Sequence, residues 1–147
     1  MLKNRAIIYT DGGSRGNPGP SALGVVIEDE NGKILKEYSR YLGEATNNQA
    51  EYEAVIFALQ KAKQLKIKEL EIRTDSELIG KQFMGKYKIK DPDLQQLFIK
   101  AWNLRLDYDR ADIKIIPRER NKKADKLVNQ ELDLKNKLFL PARRMIR

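Results

Sequence analysis

One dipeptide constrains this chain more than any other feature. Asn31-Gly32 closes the segment Asp29-Glu30-Asn31-Gly32 between two β-prone stretches, Ala22 to Ile27 and Ile34 to Leu42. Asn-Gly readily takes the positive φ angles of a tight hairpin, so the two stretches are predicted to run antiparallel and side by side. Ala6 to Tyr9 is an earlier apolar run ended by Thr10-Asp11, and residues 12–20 form a loop by composition. The chain therefore opens as a three-stranded meander. The period then changes. From Asn47 to Leu65, the residues Ala50, Val55, Ala58, Leu59, Ala62 and Leu65 recur at helical spacing. Leu70 to Arg73 reads as a short strand and Ser76 to Phe83 as a short helix. Asp91-Pro92-Asp93 opens another helix, carrying Leu94, Leu97, Phe98, Ala101, Trp102 and Leu104. Ile113 to Ile116 is a strand stopped by Pro117. A last helix runs from Asn121 to about Leu134, with Ala124, Leu127, Val128 and Leu132 on one face. The order βββ-α-β-α-α-β-α predicts an α/β fold, a mixed sheet covered by helices.

The residue types that are missing narrow the chemistry. The 147 residues include no histidine and no cysteine. Ser-His-Asp and Cys-His catalysis, histidine or thiolate zinc sites and disulfides are all excluded. Any hydrolysis must rest on carboxylates, lysines, tyrosines or bound metal. The 29 Lys and Arg exceed the 21 Asp and Glu, which points to a polyanionic partner. The length fits a single domain over 1–147, with about 136–147 as an apolar and basic C-terminal extension that would either pack back or fray. The N-terminus has no apolar leader, and no apolar run reaches the roughly 20 residues of a membrane span. A soluble, cytoplasmic monomer without membrane contact is expected.

Four acids stand at element ends. Asp11 ends the first strand before two glycines. It reads either as a turn residue bonding its own backbone or as a ligand on a rigid strand end, beside a loop open to a bulky substrate. Glu51 opens the long helix in phase with Val55, Ala58 and Ala62, which places a carboxylate on or beside the buried face. Burying it is costly unless it is paired or metal-bound, although a helix-start Glu also gains from the macrodipole. Asp75 follows a strand and precedes a helix. It could cap that helix, but Ser76 caps equally well and would leave Asp75 free. Asp125 borders the stripe of Ala124, Leu127 and Val128, unless it simply pairs with nearby lysines. Converging on one sheet edge, four hard oxygen donors suit Mg²⁺, with Mn²⁺ as the alternative, and two-metal phosphoryl chemistry.

Four ordered motifs then resemble a known family. Tyr9-Thr-Asp-Gly-Gly-Ser-Arg-Gly-Asn-Pro-Gly-Pro, Thr46-Asn-Asn-Gln-Ala-Glu-Tyr-Glu-Ala, Thr74-Asp-Ser-Glu-Leu-Ile and Pro117-Arg-Glu-Arg-Asn-Lys-Lys-Ala-Asp-Lys-Leu resemble those of type 1 ribonuclease H, over about residues 5 to 135. The resemblance implies a ribonuclease H-like fold, with a five-stranded mixed sheet flanked by helices. It also implies endonucleolytic cleavage of the RNA strand of RNA–DNA hybrids, leaving 5′-phosphate and 3′-hydroxyl ends. Asp11, Glu51, Asp75 and Asp125 would be catalytic and metal-binding. Asp11 would bridge two divalent ions about 4 Å apart. Asp125 would help hold the ion that activates water, and Glu51 and Asp75 the ion at the leaving oxygen. Gly12, Asn17, Asn47, Asn48 and Gln49 would meet the minor groove or the RNA backbone, where 2′-hydroxyls identify RNA. Thr46 would grip a DNA-strand phosphate, although Thr46 or Asn47 would equally cap the helix.

Two departures stand out. Many family members place a histidine in the loop before the last Asp, and this chain has only Arg118 or Glu119 to stand in. Some carry a basic helical protrusion after the third motif. Here the connector is short and offers only Lys86, Lys88 and Lys90, a reduced basic patch or simply a solvated edge. Residues 12–20 lack the Gly-Lys-Ser/Thr ending of a nucleotide-binding P-loop, which argues against a nucleotide hydrolase. The alternative from another class is a non-catalytic nucleic-acid-binding module on the same fold.

Overall fold

The antiparallel meander forms as the Asn-Gly turn requires. In the computed structural model, which describes residues 4–146 and the side chains of 4–137, β1 (Arg5–Ser14), β2 (Gly19–Glu28) and β3 (Ile34–Ala45) pair antiparallel in sequence. Gly32 turns the β2–β3 hairpin at φ +84°, and Asp29 Oδ1 accepts from the N–H groups of Asn31 and Lys33 at 2.8 and 2.9 Å. β4 (Glu69–Thr74) and β5 (Arg110–Ile115) add in parallel on the other side of β1, giving the order β3-β2-β1-β4-β5. The sheet is five-stranded and mixed, as the element order implies.

The strands divide their side chains between two helical layers. Ile8, Leu23, Val25 and Ile27 point to one face, against Tyr52, Val55, Ala58, Leu59 and Ala62 of α1 (Asn47–Gln64) and Leu94 and Ala101 of α3 (Pro92–Leu104). Ala22 points to the other, where Val128 and Leu132 of α4 (Lys122–Ile146) cover it. A short α2 (Glu77–Phe83) leads to α3, and Phe83 packs edge-on against Phe98 with ring centroids 5.5 Å apart. Each fully buried large aliphatic side chain in these layers contributes roughly 1.5–3 kcal/mol.

Several boundaries differ from the sequence reading. The glycine-rich stretch is not all loop. β1 runs on through Gly12-Gly13-Ser14 and β2 starts at Gly19, because the ladder continues through Gly12↔Leu23, Gly13↔Ala22 and Ser14↔Ser21. Tertiary pairing overrides the breaker composition there. β3 is longer than its apolar run, since an edge strand facing water needs little apolar alternation. Leu65 is the C-cap of α1 and is 37% exposed, off the buried stripe. The last helix runs beyond Leu134, and the side chains of its extension from 138 onward lie outside the described residues.

Candidate active site

The site begins where two parallel strands end. The β1/β4 ladder closes at Thr10↔Thr74, so Asp11 and Asp75 follow side by side at the carboxyl edge of the sheet. Asp11 is still held by the antiparallel ladder opposite Gly24 and is 7% exposed. Asp75 is spared from capping duty. Ser76 is the N-cap of α2, its Oγ accepting from Ile79 N–H at 3.2 Å, as the sequence allowed.

Glu51 reaches the same place from α1. Thr46 Oγ1 accepts from Gln49 N–H and Gln49 Oε1 accepts from Thr46 N–H, a reciprocal cap that fixes where the helix starts. Glu51, one turn in, is buried against β1 and accepts from Gly12 N–H at 2.9 Å. The approach is possible only because residue 12 has no side chain. A Cβ there would lie 2.2 Å from the carbonyl carbon and oxygen of Ala50. Asp125 enters on the first turn of α4, its N–H bonded to Asn121 O at 3.1 Å.

The four acids share one cleft of about 460 Å³, bordered also by Gly12, Arg15, Asn47, Arg118 and Asn129. One carboxylate oxygen from each of Asp11, Glu51 and Asp75 lies within 4.8 Å of the others. Asp125 stands against Asp11, close enough for a hydrogen bond between the two carboxyls. Burial, then the charges of Asp75 and Asp125, push Asp11 up to about 8. Burial, followed by Asp11 and Asp75, raises Glu51 well above the carboxylate range. Burial chiefly raises Asp75, while Asn121 and Arg118 work in the opposite direction. Such a cluster is poised for cations.

The sequence reading missed Asn121 as a site residue. Its side chain is 1% exposed, and its Nδ2 donates to Thr10 O at 2.9 Å and to Asp75 Oδ2 at 3.2 Å. It ties the end of β1 to the acid at the end of β4. The available signal was an amide just before a helix, in the motif that contains Asp125. Of the two proposed stand-ins for the loop histidine, Arg118 borders the cleft and Glu119 is an exposed residue of the turn Arg118–Arg120.

The remaining candidates hold the loop and the helix start together. Asn47 Oδ1 accepts from Ser14 N–H at 2.9 Å, and Asn17 Oδ1 accepts from Asn47 N–H at 3.1 Å. Thr46 and Gln49 form the cap, and Gln49 borders a separate groove with Glu44, Glu53 and Asp93. Asn48 is half-buried in the first turn of α1. Lys86, Lys88 and Lys90 are exposed on the connector between α2 and α3.

The raised acids set a pH dependence. In the folded, metal-free protein Asp11 keeps a proton up to about pH 8, whereas the unfolded chain releases it near the ordinary aspartate value of 3.8. Unfolding between those values releases a proton, so stability is greater at pH 5.5 than at pH 8, by roughly a few kcal/mol. Melting curves in chelator at the two pH values test the sign, and Mg²⁺ at pH 8 is expected to recover most of the difference. Asp75→Asn should raise the metal-free melting temperature at pH 8 and lower activity. A lower metal-free melting temperature would count against it.

A five-stranded mixed sheet carrying four acids at one strand-end cleft defines the ribonuclease H-like class. The chain matches the family described as reverse transcriptase-like over residues 9–131. It is 43% identical over 129 residues to a ribonuclease HI of Halobacterium salinarum, covering 88% of this chain and 65% of the relative. The crystal structure of RNase H1 from that archaeon superposes with a TM-score of 0.86 at 43% identity, covering 88% of this chain and 98% of that one. The N-terminal RNase H domain of a Mycobacterium tuberculosis protein gives 0.82 at 39% identity, over 86% and 97% of the two chains. An RNase H1 solved in complex with an RNA/DNA hybrid, LC11-RNase H1, gives 0.82 at 48% identity, over 85% and 94%. The chain spans 65% of the archaeal relative and 36% of the full mycobacterial bifunctional protein. It belongs to the type 1 ribonuclease H family.

Proposed function

We propose that this chain is a metal-dependent endonuclease that hydrolyses the RNA strand of RNA–DNA hybrids. The observation that carries the reading is the convergence of Asp11, Glu51 and Asp75 within 4.8 Å, with Asp125 against Asp11, in one open cleft. A relative of the same fold was solved in complex with an RNA/DNA hybrid. The donor set fits Mg²⁺ or Mn²⁺: it is all oxygen, crowded and partly desolvated, and among the described residues no cation-bearing side chain forms a salt bridge to any of the four acids. Buried Thr10 Oγ1 and Asn121 Oδ1, next to the acids, have no hydrogen-bond partner among the described residues.

Asp11, Glu51, Asp75 and Asp125 would hold two divalent ions. When bound, such ions neutralise charge on the reacting phosphodiester and lower the pKa of the attacking water. The protein's own part is positioning. β1 and β4 hold Asp11 and Asp75 on rigid backbone, Gly12 N–H fixes one oxygen of Glu51, and Asn121 fixes one oxygen of Asp75. Arg118 borders the cleft and places there a positive charge that Glu51 and Asp75 both feel. Gly12, Asn17, Asn47, Asn48 and Gln49 would meet the minor groove or the RNA backbone, with main-chain groups and amides reading 2′-hydroxyls, and Thr46 would help grip a DNA-strand phosphate. Products would carry 5′-phosphate and 3′-hydroxyl ends. The chain would act as a monomeric, cytoplasmic, single ribonuclease H domain. Among the described residues no helix is long and apolar enough to cross a membrane.

The test is an end-labelled hybrid, compared with double-stranded and single-stranded RNA, in Mg²⁺ and in chelator. Internal cuts in the RNA of the hybrid, lost on chelation, are expected. A ligase that accepts only 5′-phosphate and 3′-hydroxyl ends reads the product chemistry. An uncut hybrid, or cutting unchanged by chelator, would sink the reading.

A further inference from the structure

The acid cleft does not end at the acids. It continues along α4, past Val128, Asn129 and Leu132 on one wall and Gly13, Ser14 and Arg15 on the other. Arg15 is the cation on this arm. Its backbone is fixed in the β1–β2 turn, where its N–H donates to Pro20 O at 2.8 Å. Its guanidinium is tethered to α4 through one nitrogen: Nη2 lies 2.7 Å from Asp133 Oδ1 and 3.5 Å from both Asn129 O and Asn129 Oδ1. Among the described residues, the hydrogen bonds and ion pair of this guanidinium all use that one nitrogen, which leaves its other donors for a ligand. The group is 42% exposed. Asn129 and Asp133 lie one and two helical turns beyond Asp125, which sets the guanidinium roughly 6–12 Å along α4 from the acids.

A strand lying over Asp11 and Asp125 carries its neighbouring phosphate at such a distance from the one being cut. Arg, with several donors in a planar fork, suits a phosphate better than a single-point cation does, and one already anchored loses less side-chain freedom on binding. Resting on the hybrid-cleaving reading above, we infer that Arg15 is a substrate-binding residue that grips a backbone phosphate of the cleaved strand beside the scissile one. Asp133 and Asn129 pre-orient it. This arm of the cleft gives the enzyme a phosphate contact separate from the α1 start and from the lysines of the α2–α3 connector.

The experiment measures hybrid binding against salt in chelator and steady-state cleavage in Mg²⁺, for wild type, Arg15→Gln, Arg15→Lys and Asp133→Asn. One lost phosphate contact lowers the slope of log affinity against log salt by about 1. Arg15→Gln is expected to show that loss and a five- to tenfold rise in KM, with kcat falling at most about twofold. Arg15→Lys keeps the charge and should recover most of the slope. Asp133→Asn breaks the same ion pair but keeps the cation, so it should keep the slope. A slope lost equally in Asp133→Asn would mean that the ion pair, not the phosphate contact, matters, and would overturn the inference. Normal cleavage with slope and KM unchanged in Arg15→Gln would overturn this inference alone. A wild-type chain that leaves hybrid uncut would overturn the nuclease reading and this inference with it.

Discussion

Asp11→Asn is expected to lower hybrid cleavage at least about a thousandfold, roughly 4 kcal/mol of transition-state stabilisation, while making the metal-free protein more stable at pH 8. The two effects share one cause. Asp11 is the acid that all the others surround: it raises Glu51, and Asp75 and Asp125 raise it. With metal, that crowding is the binding site. Without metal, it is uncompensated repulsion inside a largely dehydrated cleft. An amide at residue 11 removes the repulsion and keeps the shape. Its Nδ2 can donate to Asp125, whose carboxyl stands within hydrogen-bond reach of residue 11. Single-turnover cleavage in Mg²⁺ and melting in chelator at pH 8 measure the two halves. Activity within tenfold of wild type would show that Asp11 is a turn residue and not a metal ligand. A reduced metal-free melting temperature would show that its carboxylate is satisfied by the protein alone.

Much of this was legible in the chain because the decisive signals are local. The β2–β3 hairpin turns on the left-handed backbone of Gly32, a preference local to that residue, while Asn31 keeps a negative φ. The α1 stripe is equally local, and it correctly placed Glu51 on the buried face. That Ser76 could cap α2 and leave Asp75 free followed from two adjacent side chains. The motif resemblance added what no single residue carries, the joint assignment of the four acids.

What was hidden depends on partners distant in sequence. Gly12 and Gly13 look like loop residues, yet they lie in a strand because Leu23 and Ala22 pair with them and α1 presses on one of them. Asn121 looks like an ordinary helix-start amide. Its importance lies in reaching Thr10, 111 positions away, and Asp75, 46 positions away. Arg15 shows as one basic residue in a glycine-rich run, and only the fold places α4 beside it. Loop composition reports backbone freedom. It cannot report which helix will be laid against the loop.

Gly12 and Gly32 make that distinction testable, because the two glycines are required for different reasons. At Gly32 the φ of +84° is the constraint, and a Cβ would meet nothing within 4 Å. Gly32→Ala should therefore cost about 1–2 kcal/mol of left-handed strain and leave cleavage as it is. At Gly12 space is the constraint. A Cβ would stand 2.2 Å from Ala50 C and O and 2.5 Å from Glu51 N, all backbone of α1, which has no rotamer to yield. Gly12→Ala must push the start of α1 off β1, at a cost of about 3 kcal/mol or more, lowering the melting temperature by roughly 6–12 °C. The shift also takes Glu51 Oε1 away from Gly12 N–H, the bond that aims this acid at Asp11 and Asp75. Cleavage by Gly12→Ala should therefore fall at least about tenfold even at temperatures where the variant is fully folded. Thermal melts alongside cleavage rates at 20 °C separate the outcomes. Equal losses of stability with intact activity in both variants would mean that Gly12 serves the packing of α1 on β1 alone and that the Gly12–Glu51 contact does not position the site.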